Sequence, residues 1–283
     1  MNIDYKKDCH FILHQPFLQE STSDYNAVMR TVPYQALYYE FQTGDAESCK
    51  SSISYIPNGC MDILFIIDKY GSRMELLGSS VEVKKIQRFP NARYFGIRLK
   101  PGMYLSYQNM TLRDATNQEF FFEAIDSDLE IFFQKLDRAH CLSEKIVLFH
   151  RFFDAYISAT EVNPLTGYIL SEINLSQGNV RIHTLADELH YSERHISRIF
   201  QDSMGITPKT FARIVRFQNV IDSILRQPML SLCDYISELG YSDQAHFQRE
   251  FKQYTGITPR KFLAFAQNNP YIECQYQNEQ QAS

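Results

Sequence analysis

Between Pro33 and Leu105 the apolar positions fall in short alternating or continuous runs: Gln35 to Thr43, Ile53 to Ile56, Asp62 to Ile67, Met74 to Leu77 and Arg93 to Leu99. Runs of this length and period predict β-strands. Pro57-Asn58-Gly59, Lys69-Tyr70-Gly71, Gly78, Pro90-Asn91 and Pro101-Gly102 punctuate them at the spacing of a sandwich or barrel. After Thr111 the breakers thin out and the apolar spacing changes to three and four, which predicts helices. The change of period divides the chain into a β-rich domain over 1–115, a helical linker over 116–162, a helical domain over 163–266 and a polar tail over 267–283. The expected fold class is α+β: a β-barrel or sandwich, a helical linker, then an all-α domain.

In the segment Leu142 to Thr160, the residues Leu142, Ile146, Phe149, Phe153 and Tyr156 are spaced four, three, four and three apart. Such a stripe serves either a self-associating helix or a helix packed on the β domain, and Leu148 and Phe152 widen it beyond a strict seam. Asn163-Pro164 then opens the helical domain.

Within that domain Glu188-Leu189-His190-Tyr191-Ser192 recurs as Glu238-Leu239-Gly240-Tyr241-Ser242, and Phe200 with Gly205-Ile206-Thr207-Pro208 recurs as Phe251 with Gly256-Ile257-Thr258-Pro259. Nine identities at offsets of 50 and 51 mark a duplicated unit, too few copies for a solenoid. Each copy reads as a short helix, a turn at His190 or Gly240, and a second helix opened by Ser192 or Ser242, which together make a helix-turn-helix. Ser231-Leu232-Cys233-Asp234 fits a capping box for the first helix of the second copy.

Periodicity assigns the faces of each second helix. In the first copy Ile196, Ile199 and Phe200 point inward and leave Arg194, Ser197, Arg198 and Gln201 outward. In the second, Phe247, Phe251 and Tyr254 point inward and leave Gln244, Gln248, Arg249 and Lys252 outward. A single stripe of this kind is commonly a solvated face, but its recurrence in two copies favours reading of base edges in the major groove. A helix from Pro208 to Arg226 separates the copies. If it holds them roughly 34 Å apart, about one DNA turn, both second helices enter successive major-groove segments.

Composition narrows the classes further. With 44% hydrophobic and 22% charged residues, the chain has an ordinary globular make-up. Its net charge of -5 excludes a globally basic nucleic-acid binder. Residues 163–266 carry 11 Lys and Arg against 10 Asp and Glu, a net of +1, so DNA affinity must lean on base contacts or dimerisation. Helix N-termini at Ser192 and Ser242 add amide contacts to phosphate. No apolar run approaches the ~20 residues of a membrane span, and no signal peptide is visible. Six scattered cysteines without a Cys-x-x-Cys pair point to free thiols in a reducing cytoplasm.

At these residues the sequence resembles the AraC/XylS family of bacterial transcription regulators. The run Tyr241 to Lys252 followed by Gly256-Ile257-Thr258-Pro259 and Phe262 is similar to the family's second helix-turn-helix signature, and Leu185 to Gly205 is similar to its first. The resemblance implies sequence-specific promoter binding through Arg194, Ser197, Arg198, Gln244, Gln248 and Arg249, with double-stranded DNA and RNA polymerase as partners. Ile236 stands where a small residue is usual, and His190 where a turn glycine is easier. Ile56 to Phe65 with Phe95 to Gly102 resembles a cupin-like N-terminal domain of some members, which implies an effector site or a homodimer contact.

Other chemistry is weaker. His10 and His14 alone make no metal site, and no cofactor is expected. Cys60 reads as a buried small hydrophobe more readily than as a redox thiol. The β half holds 25 of the 39 aromatic residues, and Arg93 or Arg98 are candidate ligand contacts there; Phe95, Ile97 and Leu99 share one face of the strand and leave Arg98 on the other, which could simply meet solvent. No catalytic residue is assigned. The leading expectation is a DNA-binding regulator, an activator responding to a small molecule. Its rivals are a β-barrel enzyme and a protein-interaction module with an accessory helical domain.

Overall fold

The structure, a computed structural model, describes residues 11, 14–19, 22–45, 47, 52–123, 127–159, 163–228, 241 and 243–269. After a short helix α1 (Pro16–Gln19), the chain enters β1 (Ser23–Arg30), β2 (Ala36–Gln42), β3 (Ser52–Tyr55), β4 (Met61–Asp68), β5 (Gly71–Leu77), β6 (Lys84–Gln87), β7 (Arg93–Leu99) and β8 (Met103–Leu105). Helix α2 (Leu112–Ala115) and strand β9 (Glu119–Glu123) follow, then α3 (Ser127–Arg138), α4 (Leu142–Phe153) and β10 (Ile157–Ala159).

Six strands form an antiparallel sheet in the order β1-β2-β7-β4-β5-β9, flanked by the two-stranded pairs β3-β6 and β8-β10. The segment read as a helical linker therefore also supplies β9 to the main sheet and β10 to a small one. One face of the sheet packs on α3 and α4, with Phe65 4.6 Å from Phe132 and 5.2 Å from Phe153 between ring centroids. The stripe Leu142, Ile146, Phe149 and Phe153 is buried in this contact, so it packs on the β domain rather than on a partner helix. The opposite face carries Tyr39, Phe41, Asp62, Glu75, Tyr94 and Arg98, which the pairing registers place side by side. It too is covered, because Tyr55 of β3 and Arg88, just past β6, pack onto it.

The helical half contains α5 (Pro164–Leu175), α6 (Ile182–Glu188), α7 (Glu193–Met204), α8 (Pro208–Arg226), α9 (Gln244–Thr255) and α10 (Pro259–Asn268). Local chemistry sets the boundaries. Asn163 caps α5 ahead of Pro164, and Thr207 and Thr258 cap α8 and α10 ahead of Pro208 and Pro259. Gly205 and Gly256 end α7 and α9 in the left-handed conformation, with φ of 76° and 78°. His190 takes the same region at φ 56°, as expected where its counterpart is glycine. The molecule is thus α+β, with an N-terminal β domain and a C-terminal helical domain.

Candidate nucleic-acid interface

Helix α7 buries Ile196, Phe200 and Met204 and exposes Arg194, Arg198 and Gln201, with Ser197 half-buried at the edge of that face. Ser192 caps it, its hydroxyl accepting the His195 amide at 3.2 Å. Helix α9 buries Phe247, Phe251 and Tyr254 and exposes Gln244, Gln248, Arg249 and Lys252. Its cap is Asp243, whose carboxylate accepts the His246 amide at 2.7 Å. The second helix therefore begins one residue later than the repeat predicts, and a carboxylate at its N-terminus opposes the phosphate contact expected there. Ser242 lies outside the described residues, as do Ser231 to Asp234, Ile236 and Gly240. Among the described residues none of the outward Arg, Gln and Lys side chains on α7 and α9 is engaged in an ion pair. Between the two, α8 is 19 residues long, a span of about 28 Å at 1.5 Å per residue.

The β domain is seated against this helical frame. Gln218 of α8, 2% exposed, donates to Pro57 O at 2.7 Å and to His14 O at 3.3 Å and accepts the His14 amide at 2.9 Å. His14 Nε2 lies 2.8 Å from Asp222 Oδ1, which places this histidine at a domain seam; His10 lies outside the described residues. Phe17 packs edge-on to Phe262 at 5.7 Å. Gly59, at φ 74°, meets Phe211 so closely that a Cβ would stand 2.7 Å from its ring. A Cβ on Gly205 would overlap Thr116, so the end of α7 is pinned to the β domain as well. The His14–Asp222 contact alone joins residues 208 positions apart, and local periodicity carries no trace of contacts of this kind.

The expected ligand contacts in the β half have other partners. Arg93 is exposed and pairs with Asp137 of α3. Arg98 is 1% exposed and forks onto Asp62, with Nε to Oδ1 and Nη2 to Oδ2 each 2.8 Å. Burial works against its charge, but Asp62, Tyr39 and Tyr55 outweigh that and hold its pKa well above the ordinary value. The far face of the strand is therefore interior, not solvent. Two further interior groups leave no mark in the sequence pattern. Arg88, 4% exposed, stacks on Phe41 and Tyr94 at 4.4 and 4.8 Å, and none of its three guanidinium nitrogens makes a hydrogen bond among the described residues. Glu75 is pushed up to about 8 by burial and then by Glu119. Cys60 is fully buried, and burial pushes its thiol up, away from the reactive thiolate.

Residues 185–264 match the family described as a helix-turn-helix domain. The probable transcription factor PqrA of Proteus vulgaris is 33% identical over 101 residues, 36% of this chain and 81% of that protein. The Msm operon regulatory protein of Streptococcus mutans is 31% identical over 91 residues, 32% of each chain, so the match spans about a third of that relative. Among solved structures, apo ToxT from Vibrio cholerae is 13% identical with a TM-score of 0.46, covering 81% of this chain and 97% of that one. The chain belongs to the AraC family of transcription regulators, with a DNA-binding helix-turn-helix domain. Among the described residues no helix is long and apolar enough to cross a membrane.

Proposed function

We propose that this protein grips two successive major-groove segments of a promoter, one with α7 and one with α9. The observation that carries this reading is the pair of exposed Arg and Gln faces, unengaged by acidic partners among the described residues, on two helices that both pack against α8, α7 through Phe200 on Phe211 and α9 through Phe251 on Phe217. Arg194, Ser197, Arg198 and Gln201 serve one segment; Gln244, Gln248, Arg249 and Lys252 serve the other. Ser192 adds an amide-end phosphate contact, a role that the Asp243 cap makes weaker at α9.

The sign of regulation in this proposal is activation in the cytoplasm, with RNA polymerase as the protein partner and a small-molecule effector in the β domain. Arg88, stacked on Phe41 and Tyr94, and the buried Glu75 support an effector contact inside that domain better than Arg93 and Arg98 do. The seam at Gln218, His14 and Gly59 supports a route by which the β domain sets the posture of α8. A homodimer would have to use surfaces other than the buried stripe of α4.

Incubating the protein with sheared source-genome DNA and sequencing the retained fragments tests the reading. Enrichment upstream of particular genes, lost in the Arg198→Ala, Arg249→Ala double variant while folding is kept, is the expected result. Equal retention by the two proteins would overturn it. A promoter–reporter fusion then decides the sign of regulation.

A further inference from the structure

Helix α8 carries Lys209, Arg213 and Arg216 four and three residues apart, which brings them to one side of the helix. They line a cleft of about 500 Å³ whose other walls include Gly178 and Ile182 of the first helix-turn-helix lobe and His246 of α9. The cleft therefore touches both lobes. Gly178 sits at φ 79°, and a Cβ there would stand 2.6 Å from the Arg216 amide nitrogen, so a side chain at this position would crowd the wall.

Part of the charge is internally balanced. Arg213 Nε donates to the buried Glu250 Oε2 at 2.6 Å, and the Tyr241 hydroxyl donates to Oε1 at 3.0 Å. Arg216 is not balanced in this way. Its guanidinium lies 4.8 Å from the centre of the Tyr241 ring, and its buried Nε makes no hydrogen bond among the described residues; neither does His246 Nδ1. Lys209 is exposed and has no acidic partner among the described residues. Three cations against one carboxylate leave the cleft at +2, while all of residues 163–266 sum to only +1. Unbalanced positive charge thus also lies between the lobes, in addition to that on the outward faces of α7 and α9. Buried donors without acceptors are costly, and an ammonium beside a guanidinium is a donor set suited to phosphate oxygens.

We propose that this cleft holds a phosphate of the DNA backbone, on the stretch of strand that runs between the two major-groove segments. The assignment rests on the DNA-binding reading above. It gives that reading a sequence-independent contact that bridges the lobes and fixes their spacing on the duplex.

The test compares the full-length wild type with a Lys209→Ala, Arg216→Ala double variant, by fluorescence anisotropy on an enriched genomic fragment and on a mixed-sequence duplex across a salt series. Loss of one phosphate contact predicts a fall of about tenfold or more on both duplexes alike, and a salt slope shallower by about 1. Circular dichroism checks folding, and the milder Lys209→Gln, Arg216→Gln pair serves if the alanine protein is unstable. Unchanged affinity and slope, in a protein whose Arg198→Ala, Arg249→Ala variant loses the operator, would overturn the cleft assignment and leave the DNA reading standing. A wild type that retains no duplex would overturn both. Inorganic phosphate titrated into the free protein separates the other source of the same chemistry. Thermal stabilisation that the double variant loses, with its DNA slope unchanged, would assign the cleft to a free anion and refute the backbone contact.

Discussion

Replacing Asp62 with alanine strands the guanidinium of Arg98 inside the β domain. The residues are 0% and 1% exposed, the fork is closed by two bonds of 2.8 Å, and Tyr55 donates to the same carboxylate at 2.7 Å. Removing one partner of such a buried pair costs about 3–5 kcal/mol, because the remaining charge has neither water nor counterion. At about 2–4 °C per kcal/mol for a domain of this size, the melting transition of the β domain should fall by roughly 6–20 °C. Replacing both residues by apolar ones, Asp62→Leu with Arg98→Met, should recover most of that loss, since no unpaired charge is left. Thermal unfolding followed by circular dichroism, with a urea titration alongside, measures both variants. An alanine variant within about 1 kcal/mol of wild type would refute the reasoning, and would return Arg98 to the role of a group held ready for an anionic ligand.

Glu75 titrates near 8 in the folded chain against an ordinary 4.5, so its contribution is fully favourable below about 4.5 and is lost as pH rises towards 8. That difference is on the order of 5 kcal/mol, so Glu75→Gln should be stabilising at pH 8 and near neutral at pH 4.5 in paired denaturant titrations. Ser192→Ala removes the hydroxyl that caps α7 and should cost about 1 kcal/mol in the same titrations, whereas no loss would mean that water replaces the cap without penalty. Gly205→Ala meets two obstacles, a φ of 76° and an overlap with Thr116. It should cost at least the 1–2 kcal/mol typical of a left-handed alanine, and adding Thr116→Ala should recover only the part due to overlap, as read by thermal melts of the two variants.

The helical half was largely legible because its signals are local. Caps, prolines and apolar spacing set the ends of α8, and the repeat set the inward and outward faces of α7 and α9. The β half was legible where strands are apolar and obscure where they are not. Lys84 to Gln87 reads as polar, and Glu119 to Glu123 lies in a stretch whose three-and-four spacing predicts helix, yet it pairs with β5 at the edge of the main sheet. Arg98 misled for a different reason. Alternation tells which residues share a face, but only the packing of β3 and β6 shows that both faces are covered. The seam at His14, Gln218 and Asp222, and the cleft at Lys209 and Arg216, depend on contacts across the whole chain, which periodicity does not encode.

The central claim is that one chain reads two major-groove segments, and hydroxyl-radical footprinting on an enriched promoter fragment tests it most directly. Two protected stretches are expected, about one helical turn apart on the same face of the duplex. Arg198→Ala should remove one of them and Arg249→Ala the other. A single protected stretch, or two that respond identically to either substitution, would contradict the claim.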